Sequence, residues 1–148
     1  QDAQRLVLNP DQPGWLAQIS GGATTIWERW DSILPDGSIN PGEMNSFNQY
    51  ALGCIADWLF RDVGGITPLE PGYRRFLVRP RAGISARGRS VLRTPYGTVE
   101  VDWRARVPEL GEASLLDLKV VVPPNTTATV DVPGVEPYEL GSGVHSTA

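Results

Sequence analysis

Apolar and polar residues alternate with two different periods along this chain, and the change from one to the other falls near Gly64-Gly65. Before that point, apolar residues recur at the three- and four-residue spacing of an amphipathic helix. After it, they alternate residue by residue, which is typical of a β-strand with one buried face. We therefore predict a helical first part and a β-rich second part.

The clearest helical pattern covers residues 46–63. Ser46 and Gln49 form a capping-box pattern at its start, and Gly64-Gly65 supplies a stop at its end. The apolar positions nearly encircle the predicted helix; they are Phe47, Ala51, Leu52, Cys54, Ile55, Ala56, Trp58, Leu59, Phe60 and Val63. Such a wide apolar surface predicts burial between other helices, part of which we expect to lie outside this chain. Cys54 is predicted to be a buried thiol.

A shorter helix is predicted over residues 13–20. Asp11 precedes it at a position suited to an N-cap, and Gly21-Gly22 ends it. Trp15 and Ile19 stand four residues apart, so we expect them to form an apolar pair on one helix face.

The β-rich part shows its alternation most clearly over residues 98–107. The apolar positions there are Val99, Val101, Trp103, Ala105 and Val107. Further candidate strands lie at 76–78, 90–93, 116–122 and 128–132, with turns at 95–97 and 123–125. Several short alternating strands separated by turns predict an antiparallel β-sandwich.

Composition limits the possible partners. The chain has 148 residues, of which 41% are hydrophobic, and its net charge of −4 argues against a nucleic acid or an anionic membrane surface as partner. No apolar run reaches the roughly 18 residues of a membrane span. One Cys and one His leave little for a disulfide, a histidine zinc site or a Ser/His/Asp triad, so we expect no metal and no cofactor. A first residue of Gln suggests a trimmed or fragmentary chain.

An arginine-rich stretch lies in the β part. Its members are Arg74, Arg75, Arg79, Arg81, Arg87, Arg89 and Arg93. For these arginines we favour solvated strand faces or pairing with the helical domain over phosphate binding.

Glu28 is the candidate for chemistry, because it stands between Trp27 and Trp30. An ionisable group in an aromatic frame is costly unless it is paired, hydrogen-bonded or used. The β-branched residues before it predict an extended path that brings Glu28 onto or beside a loop. From spacing alone, Glu28 is either a structural carboxylate paired with Arg29 or another arginine, or a functional group. The two tryptophans are either a sugar-stacking surface or part of a wall.

Blocks of sequence around Glu28 and beyond it carry a family resemblance. The blocks are residues 22–31, which contain Trp27-Glu28-Arg29-Trp30, then 44–53, 71–76, 94–97, 122–128 and 140–143. In this order they resemble the C-terminal region of the bacterial α-L-rhamnosidases, a family of inverting glycoside hydrolases. The resemblance implies an α+β fragment, in which residues 1–65 are the last helices of a catalytic (α/α)6 barrel and residues 66–148 are a β-sandwich domain.

The resemblance also implies roles for single residues. Glu28 matches the family's general base, which activates water for attack on a rhamnoside and releases rhamnose. The family's general acid lies upstream, in a stretch this chain lacks, so the chain alone is expected to be inactive and to need the missing N-terminal part of the barrel as partner. Gln49 stands where the family usually has a sugar-contacting His, and Trp27 is a second candidate sugar contact.

Two other functions remain open from the sequence. The β-sandwich and the tryptophans would also suit a non-catalytic carbohydrate-binding module. Alternatively, the chain is a structural piece that completes a barrel supplied by another chain. Gln49, in turn, is explained equally well by the capping box and by sugar binding.

Overall fold

The computed structural model describes residues 2–106 and 116–147 and begins with two short helices. These are α1 (Asp2–Leu8) and α2 (Trp15–Ser20). After a long loop region comes a helical run made of a 3-10 turn (Ala51–Cys54), an α-helical turn α3 (Ile55–Trp58) and a π-helical turn (Leu59–Val63). No helix in the described residues is long and apolar enough to cross a membrane.

Eight strands and a 3-10 turn (Pro71–Tyr73) follow the helical run. The strands are β1 (Ile66–Pro68), β2 (Arg75–Val78), β3 (Arg87–Thr94), β4 (Gly97–Ala105), β5 (Leu116–Val122), β6 (Thr127–Val130), β7 (Tyr138–Leu140) and β8 (Gly143–Thr147). By its internal contacts the chain separates into two compact units, Gln1–Ala56 and Asp57–Ala148.

The helix predicted over residues 13–20 exists as α2, but its start and its apolar pair were predicted wrongly. Its N-cap is Gly14, and no side chain caps it. Asp11 instead donates its backbone N–H to the side chain of Asn9 at 3.2 Å. Ile19 is 64% exposed, while Trp15 packs its ring edge-on against Trp30. Helix α1 was not predicted from the sequence.

The long helix predicted from Ser46 begins only at Ala51. The backbone N–H of Ser46 donates to the Glu28 carboxylate, and that of Gln49 donates to the Ile26 carbonyl. Because these N–H groups form hydrogen bonds to the segment that contains Ile26 and Glu28, residues 46–50 do not form a helical turn. The capping-box prediction was therefore wrong. The predicted stop is confirmed, since the helical run ends immediately before Gly64-Gly65.

The helical run is partly exposed, and part of its packing surface was expected to lie outside this chain. Cys54 is exposed, so the expectation of a buried thiol was wrong. Leu59 is 38% exposed and Phe60 is 43% exposed. The wide apolar surface therefore exists, but the described residues do not cover it.

The β-rich unit contains two four-stranded sheets, with strand orders β1-β2-β6-β7 and β3-β4-β5-β8. The second sheet is antiparallel throughout. In the first sheet β2 and β6 run parallel, with Arg75 opposite Thr127 and Val78 opposite Val130. The fully antiparallel prediction was wrong at this pair. Parallel neighbours need a crossover connection, and here strands β3 to β5 of the other sheet lie between them in the sequence.

The predicted alternation is confirmed where the two sheets form their core. Buried side chains from both sheets make one cluster: Ile66, Phe76, Val78, Val99, Val101, Trp103, Leu118, Val120, Val122, Ala128, Val130 and Val132. Ala105 is half-buried, and Val107 lies outside the described residues. Two sheets that share one apolar core form a β-sandwich.

Residues 63–65 belong to the same unit as the sandwich and pack tightly within it. Trp103 donates its indole N–H to the carbonyl of Val63 at 2.9 Å. Gly65 has a φ of +72°, and a Cβ atom there would overlap the backbone nitrogen of Pro80. The division between the units consequently falls before Asp57, upstream of the change in sequence pattern at Gly64-Gly65.

We expect Gly65→Ala to destabilise the β-rich unit more than Gly72→Ala. Both glycines have positive φ, so each alanine costs about 1–2 kcal/mol for its backbone conformation. A Cβ at Gly72 would lie 3.6 Å from Tyr96, an ordinary contact, whereas Gly65 faces a backbone atom that cannot rotate away. The free energies of unfolding in urea should differ by about 2 kcal/mol. Equal losses in the two variants would show that the Gly65–Pro80 approach is unimportant.

Most arginines of the arginine-rich stretch form ion pairs with carboxylates. The pairs are Arg74–Glu70, Arg75–Glu139, Arg79–Asp131, Arg81–Asp62 and Arg89–Glu100. The hydrogen bonds from Arg89 hold the pKa of Glu100 below its usual range. This pairing favours the structural interpretation of the stretch over phosphate binding.

Candidate functional site

Glu28 lies on a loop, as predicted, beside a second loop segment that contains Ser46. Its backbone N–H donates to the carbonyl of Ser46 at 2.8 Å. The Ser46 N–H in return donates to Oε2 of Glu28 at 2.9 Å. Nearby, Thr25 donates its hydroxyl to the Phe47 carbonyl at 2.5 Å. Backbone and side chain of Glu28 are thus both fixed by one residue of the neighbouring segment.

The carboxylate of Glu28 forms no salt bridge within residues 2–106 and 116–147. Arg29, the partner considered from the sequence, is instead engaged by Asp31. Its Nε and Nη2 donate to the two carboxylate oxygens of Asp31 at 2.9 and 3.2 Å. The interpretation of Glu28 as half of an ion pair with Arg29 was therefore wrong. Glu28 is half-buried, and its interaction with Arg29 is a Coulomb interaction without a salt bridge.

Asp31 is set apart from Glu28 by its electrostatic environment. The hydrogen bond from Arg29 holds the pKa of Asp31 below its usual range, and the Asn40 amide, which donates to Asp31 at 2.8 Å, adds to this effect. Because folding lowers this pKa, ionised Asp31 stabilises the folded state, and this contribution is complete above the unfolded-state pKa of about 3.9. The contribution is lost as the pH falls through the pKa of Asp31 in the folded state. At neutral pH Asp31 is ionised and paired.

The residues that follow Glu28 form a hydrogen-bonded turn. Ser32, which is fully buried, donates its hydroxyl to the Arg29 carbonyl at 3.0 Å and accepts from the Arg29 N–H at 3.3 Å. Gln18 is 4% exposed and donates its side-chain amide to the same carbonyl at 3.1 Å. The turn is thereby tied to helix α2, which restricts the backbone on the C-terminal side of Glu28.

The two tryptophans that flank Glu28 pack inside the first unit. Trp27 is 6% exposed and meets Phe47 edge to face, with ring centroids 5.5 Å apart. Trp30 is half-buried and meets Trp15 at 4.8 Å in the same geometry. Because Trp27 is buried and Trp30 packs against Trp15, the geometry favours a wall over a sugar-stacking surface.

Gln49 lies on the segment that faces Glu28. Its backbone N–H donates to the Ile26 carbonyl at 2.9 Å. Its side chain is half-buried and makes no hydrogen bond within the described part of the chain. The capping alternative for this side chain is excluded, and its amide keeps both donor and acceptor capacity.

Two family models match this chain in sequence. The bacterial α-L-rhamnosidase 6 hairpin glycosidase domain matches residues 1–63, and the bacterial α-L-rhamnosidase C-terminal domain matches residues 65–147. The chain belongs to the bacterial α-L-rhamnosidase family. The resemblance inferred from the sequence blocks is thus confirmed, and Glu28 and Gln49 both fall within the match to the glycosidase domain.

Known rhamnosidases are similar to this chain over nearly its whole length. The α-L-rhamnosidase of Formosa agariphila is 40% identical over 87% of this chain, and that of Streptomyces avermitilis is 37% identical over 97%. The crystal structure of the Aspergillus terreus α-L-rhamnosidase matches 97% of the chain at 41% identity, with a TM-score of 0.88. The structure of the S. avermitilis enzyme complexed with L-rhamnose matches 97% at 35% identity, with a TM-score of 0.84.

The chain spans only a small part of these rhamnosidases. It covers 13% of the F. agariphila protein and 15% of the S. avermitilis protein. It covers 16% of the A. terreus chain in the crystal structure. Most of each relative therefore has no counterpart in the present sequence.

Two residues near Glu28 had no predicted role at the site. Ser46 was interpreted only as a helix cap, and Asn45 had no assignment. Their contacts to Glu28 and to the following turn use backbone groups and an amide, which leave no trace in hydrophobic periodicity.

In the described residues no group of His, Cys, Asp and Glu side chains is arranged to hold a metal.

Proposed function

We propose that this chain is the C-terminal piece of an inverting α-L-rhamnosidase in which Glu28 is the general base. Residues 1–65 would supply the last helices of the (α/α)6 barrel, and residues 66–148 the β-sandwich domain. Glu28 would deprotonate a water molecule that attacks the anomeric carbon of a terminal α-L-rhamnose. The L-rhamnose bound in the S. avermitilis structure supports rhamnosides as the substrate class.

The observation that carries the proposal is the state of the Glu28 carboxylate. A general base must be ionised and must keep an oxygen that can accept a proton from water. Glu28 has one oxygen held by the Ser46 N–H and has no ion pair in the described chain. Arg29, which would otherwise occupy it, is held by Asp31. The turn after Glu28 also limits its backbone motion, which preorganises the base.

The second carboxyl group of an inverting site must come from elsewhere. It acts as general acid, so it needs a raised pKa, and it lies about 6.5–9.5 Å from the base. Asp31 is the acidic residue beside Glu28 in sequence, but its pKa is lowered by Arg29. An acid that is ionised at neutral pH cannot protonate a leaving group. This supports a general acid on the upstream part of the enzyme.

Gln49 and Trp27 have different parts in the proposal. The unengaged side-chain amide of Gln49 supports a hydrogen bond to the sugar, in place of the His that is usual in the family. Unlike His, Gln has no charge to titrate near neutral pH. The burial of Trp27 supports a role in shaping the wall behind Glu28 rather than in stacking on the sugar.

Exposed apolar side chains in the first unit and the helical run support the missing barrel segment as partner. Ile19 is 64% exposed, Met44 79%, Tyr50 88% and Phe60 43%. Exposed apolar surface of this kind is typical of an interface. The carbohydrate-binding module has less support, because none of the five tryptophans is exposed. The second function is therefore to complete the barrel formed by the upstream segment, and this function is compatible with the role of Glu28 as general base.

We expect the 148-residue chain alone to give no measurable hydrolysis of 4-nitrophenyl α-L-rhamnoside. It lacks the proposed general acid, and removing a general acid or base costs about 10²–10⁴-fold in rate. The same chain joined to the upstream segment of its own gene should release 4-nitrophenol. Turnover by the isolated chain that is abolished by Glu28→Ala would contradict the two-segment proposal.

A further inference from the structure

Asn45 links the two segments that hold Glu28. Its side-chain Nδ2 donates to the Ser32 carbonyl at 3.2 Å and to the Asn40 carbonyl at 3.0 Å. Ser32 closes the turn that follows Glu28 in sequence. Asn45 itself directly precedes Ser46, whose N–H binds the Glu28 carboxylate. A single amide thus joins the turn on one side of Glu28 to the loop that holds its side chain.

The orientation of the Asn45 amide is determined by its surroundings. Both bonds of Nδ2 go to carbonyl oxygens, which only accept hydrogen bonds. Rotating the amide by half a turn would bring Oδ1 against these two oxygens. The observed orientation leaves Oδ1 buried and without a hydrogen-bond partner within the described residues. An unsatisfied buried acceptor is costly, so the two donor bonds are the reason that this arrangement persists.

The loop on which Asn45 acts has few other attachments to the turn. Asn40 donates its backbone N–H to the Ser32 carbonyl at 3.0 Å and its side chain to Asp31 at 2.8 Å. These bonds hold the beginning of the loop. Among the side chains of residues 41–46, that of Asn45 forms the hydrogen bond to this turn, at the carbonyl of Ser32.

We infer that Asn45 is a positioning residue for Glu28. It acts through Ser46, by fixing the backbone N–H that sets the direction of the carboxylate. The inference rests on the proposed role of Glu28 in the reaction. Its structural content, the dependence of the Ser46–Glu28 hydrogen bond on Asn45, can be tested without any activity.

The first test is amide hydrogen exchange of the 148-residue chain by NMR. Asn45→Asp keeps the side-chain shape and replaces the donor with an oxygen that repels both carbonyls. We expect the protection of the Ser46 amide to fall about tenfold or more. The Ala17 amide, which donates to Asn9 at 3.1 Å in the same unit, should keep its protection. Asn125→Asp, the same change at an exposed turn of the sandwich, should leave Ser46 unchanged.

Asn45→Ala provides a second variant that introduces no charge. If Ser46 loses protection in either variant while Ala17 keeps it, the positioning role is supported. If Ser46 and Ala17 lose protection together in both variants, Asn45 stabilises the whole unit and the inference is wrong. Unchanged protection of Ser46 in both variants would overturn it as well.

The second test measures activity in the enzyme that contains the upstream segment. Asn45→Asp should lower kcat for the aryl rhamnoside about 10- to 100-fold and leave KM within about threefold, because a misdirected base slows the reaction more than it weakens binding. A rise in KM with kcat unchanged would contradict a positioning role. If Glu28→Gln is fully active, the proposed function fails, whereas the exchange experiment still decides whether Asn45 positions Glu28.

Discussion

Glu28→Gln, introduced into the enzyme that contains the upstream segment, should lower kcat for hydrolysis of an aryl α-L-rhamnoside about 10³-fold. Glutamine keeps the size of the side chain and has an oxygen that can still accept the Ser46 N–H, but it cannot take a proton from water. KM should change little, because the hydrogen bond that orients the side chain is retained. Steady-state kinetics with 4-nitrophenyl α-L-rhamnoside measures both quantities.

A matched control for this variant is Glu43→Gln. Glu43 is an exposed glutamate of the same unit and forms no ion pair in the described chain, so its replacement should leave kcat within about twofold.

Azide provides a chemical check on the role of Glu28. In Glu28→Ala, the azide anion needs no deprotonation, so it should displace the aglycone and form rhamnosyl azide of inverted configuration. Full activity of Glu28→Gln, or azide product of retained configuration, would refute the proposal of an inverting general base.

Trp103→Ala should lower the free energy of unfolding of the β-rich unit by about 3–5 kcal/mol. Trp103 is 1% exposed, and its indole N–H donates to the Val63 carbonyl. A Cβ at Gly88 would lie 2.5 Å from the indole nitrogen, so the ring fills space that the opposite strand leaves open. Alanine would remove both the hydrogen bond and the largest fully buried side chain. Urea unfolding followed by far-UV circular dichroism measures the loss.

Two further variants separate the contributions of Trp103. Trp103→Phe retains most of the apolar contact but leaves the Val63 carbonyl unpaired, so it should cost about 1–3 kcal/mol. Tyr96→Ala removes an aromatic side chain that is 38% exposed at the hairpin turn, and it should cost about 1 kcal/mol or less. A loss for Trp103→Ala no greater than that for Tyr96→Ala would show that Trp103 does not anchor the core.

The strands were largely predictable because burial in a sandwich repeats with the period of the backbone itself. Val99, Val101 and Trp103 alternate with polar residues, and the structure buries all three. The parallel pairing of β2 with β6 was not predictable. Periodicity reports which face of a strand is buried, but it contains no information about which strand lies beside it or in which direction.

The helical run shows where the sequence pattern was misleading. Ser46 and Gln49 have the residue types and spacing of a capping box, yet their backbone groups bond to the segment that carries Glu28. Local propensity is a weak preference, and hydrogen bonds to a distant segment override it. The spacing of the apolar residues after Ala51 predicted a helical run correctly. Several of these residues are nevertheless partly exposed, so the spacing did not show which of them are buried within this chain.

The sequence by itself determined the family, the alternating core of the sandwich and the choice of Glu28 as the candidate base. These features depend on residue types at fixed spacing, which can be read along one chain. Only the tertiary structure decided that Arg29 pairs with Asp31 and leaves Glu28 to the Ser46 N–H. It also decided that the Asn45 amide joins the two segments around Glu28. Such contacts depend on distances between segments that are far apart in sequence, and no local pattern records those distances.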